Sequence, residues 1–191
     1  MRHPSRLDLI EGLNDDLARS YARVIQGRTF ASVVRGTDRL ALRPLFARHI
    51  AYGISHAATL ADAIVATGGT PGFRVAPVHA MDRPLHMLRA LHRAVCSSAD
   101  GYVARRTVAE LLGDRSLALA LRALESDAVA ERTELELRLS EWIGDMTAPR
   151  PSPTPNHLVA GVAASASDTG LQPAIVGVMS QDDYRDAGSC S

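Results

Sequence analysis

The chain has 191 residues, of which 46% are apolar, 22% charged and 4% aromatic, so it can bury one sizeable core but not two. Its 21 basic side chains are all arginine and are balanced by 21 acidic ones, which argues against a protein that binds DNA through its whole surface. Many alanines and few β-branched or aromatic residues exclude an all-β fold, because strands prefer bulky side chains and alanine favours helix.

The cysteines and the hydropathy pattern indicate the cellular environment. Cys96 and Cys190 are too far apart for a zinc-binding motif and too few for a disulfide framework. The first 30 residues carry charges throughout, and no apolar run approaches the roughly 18 residues of a membrane span. We therefore expect a soluble, cytoplasmic protein without a membrane partner.

Apolar residues recur at three- and four-residue steps in four long segments, and this spacing predicts four helices. The predicted helices cover about Leu7–Arg35, Pro44–Thr67, Pro84–Leu112 and Arg115–Ile143. Short breaks follow the first and third helices, which predicts two antiparallel hairpins. The class is therefore all-α, and four helices of similar length indicate a bundle.

The break between the second and third helices is much longer than the other two. Gly68–Arg83 contains Pro71 and Pro77 and has 16 residues, which reach about 53 Å when extended at ~3.3 Å each. That length lets the segment cross the whole bundle, so the second and third helices can run parallel. We expect two hairpins joined by one long crossover.

The composition changes after the fourth helix. Four of the ten prolines fall in Pro149–Pro155, where alternate prolines prevent helix and favour an extended linker. Residues 1–145 are therefore predicted to form the bundle and residues 146–191 a proline-rich linker with a flexible, disordered tail. Within this tail Leu171–Met179 is apolar enough to dock on a protein partner.

Several segments resemble one known family. His56–Gly72 is similar to the end of the second helix in bacterioferritins and in starved-cell DNA-protection proteins (Dps), where a histidine-alanine start leads to a glycine-glycine-x-proline stop. Leu13-Asn14, Met87–Ala90 and Glu131–Leu135 resemble the same family in the other helices. The resemblance covers about residues 7–143. It implies a ferritin-like four-helix bundle, assembly into a homo-oligomeric dimer or cage, and iron as the bound metal.

The family's di-iron chemistry needs glutamates and histidines on facing helices, and most of these positions have changed. A di-iron centre is held by inward glutamates and Glu-x-x-His pairs. The resemblance places those ligands at Ser20, Gly53, Leu91 and Ala128, none of which binds iron. The Dps ligand pattern falls at Ala58 and Asp62, and only Asp62 keeps a carboxylate. A degenerate di-iron site is therefore expected.

Four residues remain as candidate metal ligands: His49, His56, Asp62 and Glu131. The histidines lie on one face of the second helix, about 10 Å apart along its axis, so they cannot chelate one ion without carboxylates from other helices. The favoured interpretation is that both are ordinary hydrogen-bonded core or groove histidines, with metal binding as the alternative. For Glu131 an exposed edge position is favoured; an inward Glu131 would need a partner, for which His92 or Arg106 is a candidate.

Two main functional hypotheses follow. The first is an iron-binding or stress-protection protein, a ferroxidase-type oxidoreductase if it is active. The second is a structural or adaptor protein that has lost ferroxidase activity, and a variant of it is a cargo protein docked through its tail. The short basic N-terminus, Arg2 to Arg6, carries too few charges beside Asp8 and Glu11 to predict DNA binding.

Overall fold

The structure is a computed structural model that describes residues 4–78 and 81–147. Four helices make up this part of the chain: α1 Arg6–Val33, α2 Gly36–Ala66, α3 Pro84–Leu111 and α4 Arg115–Thr147. No strand occurs among the described residues. The linker and tail predicted for residues 146–191 fall almost wholly outside the described residues, as does the proposed docking segment Leu171–Met179, so both stay predictions.

Local sequence signals set the helix ends. Ser5 caps α1 in a capping box, where its hydroxyl accepts from the Asp8 amide at 3.1 Å and the Asp8 carboxylate accepts from the Ser5 amide at 2.9 Å. Gly36, Gly68 and Gly113 adopt φ values of 61°, 84° and 78°, a left-handed conformation in which a side chain would be strained. Gly36 is the first residue of α2, and Gly68 and Gly113 lie in the connections that follow α2 and α3.

The helices pack as two antiparallel hairpins, α1 with α2 and α3 with α4. Between the hairpins, Gly12 approaches Arg105 while Asp16 approaches Gly101, so α1 and α3 are antiparallel. Since α1 is antiparallel to both partners, α2 and α3 run parallel, as the long connection predicts.

The crossover between α2 and α3 runs along α1. The Gly72 amide donates to Asn14 Oδ1 at 2.6 Å, and the Ala76 amide donates to the Ala18 carbonyl at 3.2 Å. From Gly72 to Ala76 the crossover therefore runs in the same direction as α1 and lies beside residues 14 to 18 of that helix. The predicted four-helix bundle with one long crossover is confirmed.

The predicted start of α2 is wrong by eight residues. α2 begins at Gly36, and Pro44 lies inside the helix instead of opening it. A proline there removes one backbone hydrogen bond. Leu42 and Leu45, which flank it, are 2% and 5% exposed, so packing of this segment into the core keeps it helical.

The core is a continuous apolar cluster drawn from all four helices. Its largest fully buried members are the aromatic residues Tyr102, Phe30 and Phe46. No helix in the described part of the chain is both long and apolar enough to span a membrane.

Candidate functional site

A buried polar cluster occupies the centre of the bundle. We call it the Arg23–Glu131 network; it comprises Arg23 from α1, His49 and His56 from α2, Tyr102 from α3 and Glu131 from α4. Each of these residues is at most 3% exposed. Arg23 Nη2 donates to Glu131 Oε2, and His49 Nδ1 lies 2.5 Å from Glu131 Oε1. Both oxygens of the buried carboxylate therefore have a hydrogen-bond partner.

The protonation states of His49 and Glu131 follow from burial and from their contact. Burial raises the pKa of Glu131, but the hydrogen bond from His49 and the charge of Arg23 outweigh it, so the pKa lies below its usual value. Burial lowers the pKa of His49. At neutral pH an ionised Glu131 thus accepts a hydrogen bond from the Nδ1–H group of neutral His49. The His49 Nε2 atom then carries a lone pair, and it has no hydrogen-bond partner among the described residues.

The donors around His56 fix its tautomer. Arg23 Nη1 lies 3.4 Å and the Tyr102 hydroxyl 3.0 Å from His56 Nδ1. A guanidinium can only donate, so Nδ1 is the acceptor and Nε2 carries the proton. Nε2 faces Asp127 Oδ2 at 3.7 Å, which is too long for a hydrogen bond. Burial lowers the pKa of His56 to about 4, so the ring is neutral at pH 7.

A second buried polar cluster, the Asp16 network, comprises Asp16, Arg19 and Arg105. Asp16 is 1% exposed; its Oδ1 accepts from Arg19 Nη2, and its Oδ2 lies 3.5 Å from Arg105 Nε without a hydrogen bond. Burial raises the pKa of Asp16 more than the two arginines lower it. Two glycines leave room for this network. A Cβ on Gly12 would collide with Arg105, and a Cβ on Gly101 would collide with Asp16.

Another glycine stands where the family resemblance places a glutamate. A Cβ on Gly53 would lie 2.9 Å from Val24 Cγ2 and 3.3 Å from the Ser20 carbonyl oxygen. A side chain at position 53 would therefore require Val24 and the backbone of α1 to shift, because α1 and α2 approach closely there.

Three of the four predicted site residues come together. His49, His56 and Glu131 are buried in the Arg23–Glu131 network, with exposures of 1%, 0% and 3%. Asp62 is exposed on α2 and lies outside this buried set. The structure thus assembles two imidazoles and one carboxylate at the bundle centre.

The partner expected for Glu131 is wrong. His92 lies 3.2 Å from Glu136, and Arg106 donates to Glu125 at 3.0 Å, both near the surface. Glu131 instead pairs with Arg23 and His49, because it points between α1 and α2 rather than towards α3.

The sequence did not lead us to predict three polar features of the site: the buried Arg23, the buried Asp16 and the hydrogen bond of Tyr102. The signal was present: from Leu13 and Leu17, three-residue steps lead to Ser20 and Arg23 on the same buried face of α1. An arginine on a buried stripe requires a carboxylate partner on a facing helix.

The residues at the bundle centre do not fit a di-iron centre. Such a centre needs several carboxylates to neutralise and bridge two cations. Here the only carboxylate of the Arg23–Glu131 network is already neutralised by a guanidinium, which stays charged at every accessible pH. The described residues contain no group of three or more His, Cys, Asp or Glu placed to hold a metal ion.

Comparison with known proteins gives a family. No protein-family model matches the sequence, and no curated protein matches it. Among solved structures, the chain is similar to the ferritin-like, diiron-carboxylate proteins from Bacillus anthracis str. Ames, with 31% identity, a TM-score of 0.69, and coverage of 73% of this chain and 99% of that one.

Two further structures share the fold at lower identity. A Dps protein from Bacillus brevis has 20% identity and a TM-score of 0.66, covering 73% of this chain and 99% of that one. The dodecameric thioferritin from Bacteroides fragilis has 16% identity and a TM-score of 0.67, covering 77% and 94%. With its parallel second and third helices, its crossover along α1 and a 31%-identical relative matched over nearly its whole length, the chain belongs to the ferritin-like superfamily.

Proposed function

We propose that this protein is a ferritin-like assembly subunit with a degenerate di-iron site, one that does not oxidise iron at a two-metal centre. The observation that carries the proposal is the pairing of Arg23 with Glu131 at the bundle centre. The fixed cation of Arg23 takes the charge-balancing role that metal ions have in a di-iron protein.

Electrostatics supports this proposal. Two ferrous ions bring four positive charges into a medium of low dielectric, where unbalanced charge is costly. The Arg23–Glu131 network offers one negative charge and already contains one positive charge. Glutamates are missing at Ser20, Gly53 and Leu91, and Ala128 supplies no imidazole. Arg23 already balances the one negative charge of the network, so two added ferrous ions would have no carboxylates to balance their charge.

Binding of a single iron ion as cargo is the second candidate. His49 Nε2 has a free lone pair, and its Nδ1 is held by a carboxylate, an arrangement common among metal-binding histidines. His56 would have to change tautomer before its Nε2 could bind a metal. The 31%-identical relative is described as a diiron-carboxylate protein, which favours some retained iron binding. We expect one weakly held ion at most.

Assembly rests on an exposed apolar groove, which we call the α1–α2 groove. It has a volume of about 600 Å³ and is lined only by apolar and aromatic residues of α1, α2 and the crossover. Ile54 and Phe73 in it are 54% and 90% exposed. A monomeric protein rarely exposes such a large apolar surface to solvent. We assign it to a second copy of this chain, in keeping with the dodecameric description of the related thioferritin.

Ferrous iron oxidation tests the central claim. Protein is mixed with anaerobic Fe²⁺, oxygen is admitted, and the absorbance of ferric iron is followed in a stopped-flow instrument. We expect no fast, saturable phase. His56→Ala removes a residue of the network, and His86→Ala removes an exposed histidine of α3 as the matched control. Fast oxidation of two irons per subunit that His56→Ala abolishes and His86→Ala leaves intact would overturn the proposal.

Native mass spectrometry tests assembly separately. Ile54→Glu places a charge in the α1–α2 groove, and Leu119→Glu places one at another exposed residue, a leucine of α4 that is 65% exposed and lies outside the groove. We expect the wild type and Leu119→Glu to form the same oligomer and Ile54→Glu to form smaller species. An unchanged oligomer in Ile54→Glu would contradict the assignment of the groove.

A further inference from the structure

A small cavity lies on the opposite side of α1 from the α1–α2 groove. It is bounded by α1, by the start of α3 and by the crossover, and it has a volume of about 170 Å³. Its charged lining is basic: Arg19 and Arg23 come from α1 and Arg93 from α3. Among the described residues, no aspartate or glutamate lines it.

We propose that this cavity, the arginine cavity, binds a small organic carboxylate. This site is separate from the proposed function, because it requires neither iron nor assembly.

The charge balance around the cavity indicates a monoanion. Arg19 is paired with Asp16, and Arg23 with Glu131, so the positive charge of each of these arginines is balanced by a carboxylate. Arg93 is exposed and forms no ion pair with any described residue. One positive charge therefore remains without a counter-charge, and a ligand with one negative charge balances it.

The donors suit a carboxylate. A guanidinium presents paired N–H groups that match the two oxygens of a carboxylate. Arg23 is 1% exposed, and its Nε has no hydrogen-bond partner among the described residues, although its Nη atoms are engaged. The Nε of Arg19 is likewise buried and without a partner. Two of the arginines that line the cavity thus each have one buried N–H donor without a partner, and unsatisfied buried donors are costly.

Apart from Gln26 and Ser97, the rest of the lining is apolar, and it sets the size of the ligand. Ala22, Pro77, Val78, Met81, Ala90 and Ala94 form most of it. A cavity of about 150 Å³ holds a benzene-sized molecule, so the arginine cavity accepts a body of about six heavy atoms with its carboxylate on the arginines. A fully hydrated inorganic anion would leave this apolar surface without contacts.

Benzoate is the probe that tests the inference, with benzamide as its uncharged analogue and inorganic phosphate as a purely polar anion. Binding to the full chain is measured by calorimetry and by ligand-observed NMR. We expect benzoate to bind and benzamide to bind at least about tenfold more weakly, because a charge-assisted hydrogen bond is lost. Phosphate that binds as tightly as benzoate, or benzoate that does not bind at 10 mM, would overturn the proposal.

Two substitutions locate the site, and one serves as a control. Arg93→Ala removes an exposed, unpaired arginine, and we expect a loss of benzoate affinity of about tenfold to a hundredfold. Ala94→Leu fills the cavity without changing its charge and should abolish binding. Arg89→Ala removes an equally exposed arginine of α3 that lines an adjoining groove with Asp82 but not the cavity, so it should change affinity less than twofold. Equal effects of Arg93→Ala and Arg89→Ala, or normal binding to Ala94→Leu, would rule the cavity out.

Discussion

The two buried carboxylates, Glu131 and Asp16, have opposite pKa shifts although each faces an arginine. Glu131 has both oxygens hydrogen-bonded, one by buried Arg23 and one by His49, and its pKa is lowered below the usual value, although burial alone would raise it. Asp16 has one hydrogen-bonded oxygen, its arginines are partly exposed, and burial raises its pKa. Complete hydrogen bonding, more than the presence of an opposite charge, decides whether a buried carboxylate stabilises the fold.

Glu131→Gln should give the largest effect on stability. The substitution leaves Arg23 as an uncompensated buried charge, which costs about 3–5 kcal/mol of unfolding free energy. At roughly 2–4 °C per kcal/mol for a chain of this size, the melting temperature should fall by at least 6 °C. Calorimetry or thermal unfolding followed by circular dichroism measures this change in melting temperature. In the double variant Arg23→Met, Glu131→Gln the charge is gone, so most of the loss should be recovered; a double variant as unstable as the single one would show that the network is not electrostatically coupled.

Acid should destabilise the protein through the Arg23–Glu131 network. His56 has a pKa of about 4 when folded and 6.5 when unfolded, so the unfolded chain binds more protons between these values. Its contribution of about 3 kcal/mol is present above pH 6.5 and is lost as the pH falls to 4. Urea unfolding at a series of pH values measures this slope. His56→Gln should flatten the curve; an unaltered slope would place the acid sensitivity elsewhere.

The two carboxylates contribute to that pH dependence with opposite signs. The lowered pKa of Glu131 gives stability that is lost as the pH falls through its folded value. The raised pKa of Asp16 has the opposite effect: the folded state binds the proton more tightly than the unfolded state, so this group adds stability as the pH falls. Asp16→Asn should therefore make the acid-induced loss of stability steeper.

Gly101→Ala tests how tightly the Asp16 network is packed. The new methyl group would collide with Asp16 Oδ1 and lie 3.1 Å from Arg19 Nη2. We expect a loss of about 1–3 kcal/mol, because overpacking outweighs the helix propensity that alanine brings. Gly144→Ala, whose added Cβ would meet no atom of the described residues beyond its own helical turn within 4 Å, is the matched control and should be neutral or stabilising. Equal effects of the two substitutions would mean that the carboxylate moves aside freely.

Asp16→Asn should have the smallest effect on stability at neutral pH. The raised pKa means that the ionised form is disfavoured in the fold, so a neutral amide of the same shape removes a cost as well as an ion pair. We expect the unfolding free energy to stay the same or to rise by up to about 1 kcal/mol. A loss as large as that of Glu131→Gln would abolish the distinction between the two carboxylates.

Much of the fold could be predicted from the sequence, because helical periodicity and connection length are local properties. Both hairpins and the crossover followed from them. The start of α2 did not, since Pro44 is a local stop signal that packing of Leu42 and Leu45 overrides. His49 and His56 were predicted to face the bundle centre, whereas the exposed edge position favoured for Glu131 was wrong. The role of Arg23 was not predicted, because a residue on α1 meets Glu131 only through the arrangement of all four helices.

The glycine at position 53 opposes the glutamate that the family resemblance places there. The Cβ of any larger residue would lie 2.9 Å from Val24 Cγ2 and 3.3 Å from the Ser20 carbonyl oxygen. The Val24 methyl group can shift more easily than the carbonyl, which belongs to the backbone of α1 and cannot rotate away. An engineer who wishes to build a carboxylate into this face of α2 should therefore adjust the local spacing of α1 and α2 before choosing ligands.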